Sequence, residues 1–406
     1  MKAVGLIVEY NPFHNGHFYH IHSSKEKTNA DVVVCVMSGY FLQRGEPALL
    51  PRRVRTMMAL EGGADLVVEL PYIFSSQHAS WFARGAVSIL SELGVDTLCF
   101  GSEHGDVYPF LELAKFLQNH EKTYNSLIKE YSSKGLSYPN AAAQAFSALE
   151  PEKSWPDLTK PNNILGFHYV RALRELHSSV QPETITRKQA GYHDVQISEH
   201  EIASATSIRR SLINEKMPPS AIAHTIPETT RLQIERFLKH GDQLYEWERF
   251  YPYLQEKILA SSLEYLARIY EAEEGLEHRF VSHIKQQPSF HDFMKACKTK
   301  RYTWTRLQRL AVHLLTGTEK QEATTALSPG KADHIRLLGM NKTGQAYLNK
   351  VKKHVGVPLL AKMTKRKTAQ QKLDERAALA YYMPLSPSQR ILKWKEEYEL
   401  PPVILS

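Results

Sequence analysis

The sequence predicts an α/β chain, a doubly wound parallel sheet followed by a mostly helical, basic C-terminal domain. Three observations carry this. Apolar runs at residues 4–8, 32–37 and 66–70 recur about thirty residues apart, the span of one strand–helix–strand unit. Their lack of polar alternation suits strands covered on both faces. Stretches of helical periodicity fill the intervals and end at glycine, at Gly62-Gly63 and at Gly94. Charge is the third observation: residues 295–367 hold 17 Lys plus Arg and three acids, a net of +14, whereas the remainder stands at −6.

Taken in order, residues 4–8 read as the first strand, Asn11 and Pro12 as a turn, and His17 as the opening of a helix. Strands follow at 32–37, 66–70 and 97–100, with helices at 51–61 and 80–93 between them. Residues 107–149 are helical in pattern, and Trp155-Pro156 marks a loop. Pro161-Asn162-Asn163 begins a helix whose apolar set (Ile164, Leu165, Phe167, Val170, Leu173) recurs at helical spacing. Residues 184–186 form a further strand, with Arg187-Lys188 emerging from its end. Beyond Ser211, helices are expected at 231–239 and 254–271, and no strand before 357–360. The chain therefore divides into residues 1–215 and 216–406. Strand–helix alternation implies right-handed crossovers, and ligands of such sheets bind beyond the carboxyl ends of the strands. His14, Ser38-Gly39 and Gly101-Ser102-Glu103 should then share one rim.

Composition narrows the class. A hydrophobic content of 42% and a charged content of 23% are ordinary for a globular protein. Cys35, Cys99 and Cys297 are too few and scattered for a disulfide framework or zinc ribbon, which fits a reducing cytoplasm. The N-terminal apolar run is cut short by Glu9, unlike a signal peptide. No stretch is apolar enough to span a bilayer, so no membrane partner is expected. The basic C-terminal region points to a polyanion. Its cations include Lys298, Lys300, Arg301, Arg306 and Arg309, interleaved with Tyr302 and Trp304. Lys350, Lys352, Lys353, Lys362, Lys365 and Arg366 follow. RNA phosphates would explain the charge and a base could stack on an aromatic ring; equally, both rings suit a core. Arg52, Arg53 and Arg55 read as a solvated helix face, or as RNA contacts near the rim.

The chemistry concentrates at the first turn. A helix start presents amide N–H groups without intrahelical partners. Gly16 lets backbone approach a phosphate, and His14 and His17 lie three residues apart. Attack on the α-phosphate of a nucleoside triphosphate would build charge that such donors stabilise. His20 and His22 extend the cluster, yet no carboxylate or cysteine completes a ligand set, so no metal site is expected in the protein. His14-Asn15-Gly16-His17 after a first strand resembles the H-x-G-H signature of the nucleotidyltransferase superfamily, which implies a Rossmann-like sheet. Residues 204–209 resemble the I-S-S-T-x-I-R signature of small adenylyltransferases: Thr206, Ile208 and Arg209 match, while Ala203 and Ala205 depart. In those relatives the segment opens a helix that holds the triphosphate.

With both motifs placed, the chain resembles the bacterial tRNA(Met) cytidine acetate ligases. Residues 8–17 carry the likeness, with Ser38-Gly39-Tyr40-Phe41-Leu42-Gln43-Arg44-Gly45-Glu46-Pro47-Ala48 and residues 63–71. The resemblance implies ATP-dependent activation of acetate to acetyl-adenylate. The acetyl group then passes to N4 of the wobble cytidine of elongator tRNA(Met), giving N4-acetylcytidine. It also implies an ATP cradle, Ile7-Val8-Glu9-Tyr10-Asn11-Pro12-Phe13-His14-Asn15-Gly16-His17-Phe18-Tyr19-His20, completed by Gly101, Asn162, Arg187 and Lys188. His14 and His17 are the expected catalytic pair, with Thr206 and Arg209 beside the leaving pyrophosphate. Acetate is already ionised, so the first step needs no general base, and Mg²⁺ would bridge the β- and γ-phosphates. Lys300, Arg301, Lys352, Lys353, Lys365 and Arg366 are the expected tRNA contacts. Lys362-Met363-Thr364-Lys365-Arg366 also resembles the K-M-S-K-S loop of class I synthetases, but is set aside as lying far beyond the sheet. The rival readings are a small-metabolite adenylyltransferase, which leaves the basic region idle, and a non-catalytic RNA-binding protein, which leaves the histidines idle.

Overall fold

The computed structural model describes residues 1–136, 138–149, 155–187, 203–364 and 367–406. Among them, eight strands form one sheet: β1 (Ala3–Val8), β2 (Val32–Ser38), β3 (Leu66–Leu70), β4 (Thr97–Ser102), β5 (Gln181–Thr186), β6 (Ile335–Met340), β7 (Leu359–Leu360) and β8 (Val403–Ile404). The order is β5-β4-β1-β2-β3-β6-β7, with β8 also paired to β6. β1 to β5 are mutually parallel. Strand order reverses between β1 and β4, and a sheet of this kind opens its ligand crevice at that reversal. β2 and β3 are buried along their whole length, which is why their sequences show no alternation.

The expected elements of the first half are present, with shifted ends. The first helix is Asn15–Thr28, capped by His14, so it opens before His17. β5 starts at Gln181 rather than at 184. The helix expected at 254–271 is two helices, Trp247–Ala260 and Leu263–Arg268. Ser262 Oγ accepts the Tyr265 N–H at 3.2 Å and so starts the second one afresh.

The larger departure is β6, where no strand was expected. It lies antiparallel on β3, pairing Glu69 with Arg336 and Leu66 with Met340. Arg336 interrupts the apolar run, and its burial explains why the run was not legible. Arg336 Nη2 lies 3.2 Å from Glu397, while Arg52 contacts both Glu69 and Glu397. Two arginines thus neutralise two carboxylates inside the protein, as buried charges require. The sheet therefore takes strands from both sides of residue 215.

Helix Arg52–Glu61 also differs from expectation, since Arg52 and Arg55 are both buried. Arg55 is fully enclosed and donates to the backbone carbonyls of Glu9 (2.7 Å), Ser38 (3.0 Å) and Leu50 (3.0 Å). It pins the carboxyl ends of β1 and β2 together and cannot meet RNA. Arg53 is exposed and donates to the Pro401 carbonyl at 2.8 Å.

Candidate active site

The chain leaving β1 is held rigid before it reaches the histidines. Tyr10 has φ 51°, a left-handed conformation that an aromatic residue adopts only when its surroundings impose it. Its fully buried ring packs on Phe13 (4.8 Å) and His17 (4.9 Å), and Asn11 Oδ1 accepts the Leu49 N–H at 2.7 Å. Tyr10 and Phe13 therefore brace the turn from behind.

The two imidazoles cap each other's backbone. His14 Nδ1 accepts the Gly16 N–H at 3.0 Å, and His17 Nδ1 accepts the His14 N–H at 3.3 Å. The rings stack with centroids 3.8 Å apart. An accepting Nδ1 carries no proton, so each ring carries its proton on Nε2. Burial pushes the His14 pKa down to about 3, with Arg187 and Arg209 adding to the effect. Burial also holds His17 well below the usual histidine range, helped by His14, His20 and Arg187 and opposed by the hydrogen bond of its ring to the Pro12 backbone. Both rings are thus neutral at pH 7 and act as Nε2–H donors.

The expectation of unpaired amides at the start of this helix is corrected. The Asn15 N–H donates to the Thr225 carbonyl (3.1 Å), the Gly16 N–H to His14, and the His17 N–H to the His14 carbonyl (2.8 Å). The loop at 224–225 and the imidazole cap satisfy groups that a helix start leaves open. An open amide end lies instead on helix Ala205–Ile213. There Ser204 Oγ accepts the Ser207 N–H at 3.1 Å, while Thr206 is exposed and its N–H has no partner among the described residues.

Cations surround the turn. Arg209 donates to the Asn11 carbonyl at 2.9 Å and pairs with Glu46 at 3.0 Å, so one side chain joins helix, turn and the loop after β2. Arg187 is exposed at the end of β5, and a Cβ on Gly101 would stand 3.3 Å from its Cγ. Gly101 thus makes room for that arginine. Lys188 lies outside the described residues. The charge of Arg44 is felt at both Glu9 and Arg187. His20 is pushed down to about 4 by burial, Phe18 is exposed and lies against His22 with ring centroids 4.1 Å apart, and Ile7 and Val8 belong to β1 itself.

Asn162 stands at the start of helix Pro161–Glu175, its amide donating to Glu103 at 2.6 Å. Its neighbour Asn163, which sequence reasoning did not single out, is the buried one. It accepts the N–H groups of Glu103 (3.0 Å) and His104 (3.3 Å) and so fixes the loop after β4. Two adjacent asparagines at a helix start gave no signal as to which would turn inward.

The loop after β2 joins the rim to the C-terminal half. Gly45 has φ 76°, and a Cβ there would come within 2.4 Å of the Arg309 backbone nitrogen. Trp247 Nε1 donates to the Gly45 carbonyl at 3.0 Å. This seats the loop on helix Trp304–Thr316, whose preceding residues carry Lys300 and Arg301.

The expected RNA contacts separate into three groups. Lys300 is exposed and has no ion pair among the described residues, whereas Arg301 pairs with Glu274 at 2.9 Å. Arg306 and Arg309 likewise pair with Glu274 (3.0 Å) and Glu271 (2.7 Å). Acids just outside the 295–367 window thus offset part of its charge. Tyr302 is buried and donates to the Glu274 carbonyl at 2.6 Å, a core role. Lys352 and Lys353 are exposed but follow helix Lys342–Val351, which docks at the amino ends of the parallel strands. Asn341 bonds Asp65 (2.8 Å), Tyr347 bonds the Leu93 carbonyl (2.8 Å) and Gly356 bonds Glu92 (2.8 Å). Those partners precede β3 and β4, so the structure does not bring Lys352 and Lys353 to the rim. Lys365 and Arg366 lie outside the described residues. The preceding β7 is a sheet strand after all, but at the edge, four places from β1.

Comparison with known proteins shows the family. A family model for the HIGH nucleotidyl transferases covers residues 1–395. The tRNA(Met) cytidine acetate ligase of Halalkalibacterium halodurans is 50% identical over 405 residues, 99% of this chain and 97% of the relative. That of Bacillus subtilis is 45% identical over the same shares. The chain belongs to the tRNA(Met) cytidine acetate ligase family. Crystal structures of Thermotoga maritima TmcAL agree over 100% of both chains, the apo form with a TM-score of 0.92 at 32% identity. The form bound with alpha-thio ATP has a TM-score of 0.89 at 31% identity. The paired imidazoles of this chain follow β1, at the strand-order reversal where a sheet of this kind opens its ligand crevice.

Proposed function

We propose that this protein uses ATP to activate acetate as acetyl-adenylate and transfers the acetyl group to N4 of the wobble cytidine of elongator tRNA(Met). The observation that carries the reading is the rim itself: two stacked, neutral imidazoles, with Arg187 close enough to perturb both and Arg209 close enough to perturb His14. The proposed ATP cradle is residues 7–20 with Gly101, Asn162, Arg187, Lys188, Thr206 and Arg209. Neutral imidazoles give hydrogen bonds to the α-phosphate, and the arginines supply the charge that pyrophosphate needs on departure. Acetate attacks phosphorus, and the bond to pyrophosphate breaks.

No cluster of three His, Cys, Asp or Glu among the described residues is arranged to hold a metal ion. Mg²⁺ would enter with the nucleotide and neutralise charge on the triphosphate. The tRNA delivers its cytidine splayed from the stack, approaching over the loop after β2 and the Lys300 segment. No helix among the described residues is long and apolar enough to cross a membrane, and a cytoplasmic site of action is proposed.

The test is nucleoside mass spectrometry of elongator tRNA(Met) transcript after incubation with the protein, ATP and acetate. Acetylated cytidine at the wobble position supports the reading. Its absence, with adenylation of a pantetheine or mononucleotide acceptor instead, would make the protein a metabolite adenylyltransferase.

A further inference from the structure

Four carboxylates stand close to the rim, and three have evident structural duties. Glu46 pairs with Arg209 at 3.0 Å, and Glu69 lies in the buried arginine cluster. Glu103 caps helix Pro161–Glu175 by accepting the Asn163 N–H at 2.9 Å. Glu9, the fourth, spends only one oxygen on such a duty. It is the first residue beyond β1, and its backbone carbonyl is taken by Arg55. One carboxylate oxygen accepts the Gln43 N–H at 2.8 Å, which leans the side chain toward the loop after β2. Its second oxygen has no bond among the described residues, and no cation there lies within ion-pair distance. Tyr169, buried on helix Pro161–Glu175, feels its charge from the other side.

We infer that Glu9 is the catalytic base of the acetyl-transfer step, accepting the proton of the cytidine N4 amine. The inference rests on the reading proposed above. In this step the N4 nitrogen bonds to the acetyl carbon while the bond from that carbon to the phosphate oxygen breaks. AMP leaves with the electron pair, and the amine proton moves to the free Glu9 oxygen. An exocyclic cytidine amine is a weak nucleophile and must lose a proton as it bonds, so this step needs a base where the first does not. Burial raises the Glu9 pKa above the ordinary carboxylate value, against the Gln43 N–H, which lowers it. A raised pKa makes a carboxylate a better proton acceptor. Glu9 thus offers its free oxygen from the end of β1, where the chain enters the histidine turn.

The experiment separates the two half-reactions in the full-length protein. Acetyl-adenylate is formed from ATP and acetate with pyrophosphatase, then mixed with excess tRNA transcript and quenched between pH 5 and 9. Acetate-dependent ATP–pyrophosphate exchange is measured in parallel. Glu9→Gln is expected to slow single-turnover transfer about hundredfold and to abolish the acid limb of its pH profile. Its loss in exchange should be at least tenfold smaller, and Glu9→Asp should restore part of the transfer and the limb. Transfer at the wild-type rate, or equal losses in both half-reactions, would overturn the assignment. A wild-type protein without acetate-dependent exchange would instead defeat the functional reading as a whole.

Discussion

His14 and His17 illustrate what residue-level reasoning can and cannot reach. Their spacing after an apolar strand was visible, because the chemistry needs both rings on one turn. Their mutual capping was not, because it depends on the His14 backbone adopting φ −141° and ψ 174°. That capping removes the free amides expected there and turns the rings into neutral donors. A ring with pKa about 3 stays neutral throughout the physiological range. Nitrogen-detected NMR of the ligand-free protein should therefore show His14 as the Nε2–H tautomer from pH 5 to 8, with no titration. Bound triphosphate would favour the charged form and raise both pKa values, so a titration appearing on addition of a nonhydrolysable ATP analogue is expected. Removing one donor by His17→Ala should lower acetate-dependent exchange by about 10²–10³-fold, the usual effect of losing one aimed hydrogen bond.

At the scale of elements, the strands on the crevice side were legible because burial on both faces leaves an uninterrupted apolar signature. β6 was not, because Arg336 breaks that signature and the carboxylates that neutralise it are 61 residues away at Glu397 and on β3. Long-range ion pairs have no local pattern. The loop after β2 is a comparable case: its residues stood out, but its seat on helix Trp304–Thr316 could not be read from them. Gly45→Ala would force a side chain into the Arg309 backbone at φ 76°. Strain and overpacking of this kind cost about 1–3 kcal/mol, so a lowered urea midpoint with an unchanged slope is expected. Because the loop carries Glu46, the partner of Arg209, exchange activity should fall as well. A variant with wild-type stability would show that the loop is not clamped there.

For the whole molecule, residues 216–406 both finish the sheet and present the exposed lysines. The division at residue 215 is proposed as one of function, with catalysis before it and RNA binding after it. His334 ties the halves: it bonds Asp333 at 2.7 Å and lies 3.1 Å from Asp374, which in turn accepts the Tyr72 N–H after β3. Burial opposes its protonation, yet the two aspartates raise its pKa to about 9. Because that lies above the unfolded value of about 6.5, the stabilisation is complete below pH ~6.5 and is lost as pH rises through about 9. It amounts to at most about 3 kcal/mol, so His334→Asn should flatten the fall in thermal midpoint between pH 7 and 10. RNA binding is expected to follow position rather than net charge. Lys300→Glu should weaken tRNA binding and reduce the salt slope by about 1–2. Reversal of Lys352 and Lys353, beyond the amino ends of the strands, should do so less, as filter binding across salt concentrations would show.

On the proposed function, a small acid is joined to AMP at this rim before any RNA is engaged. ATP–pyrophosphate exchange in the absence of tRNA tests it most directly. Exchange should appear on adding acetate and collapse in His17→Ala. Exchange that is indifferent to acetate, or that requires tRNA, would contradict it.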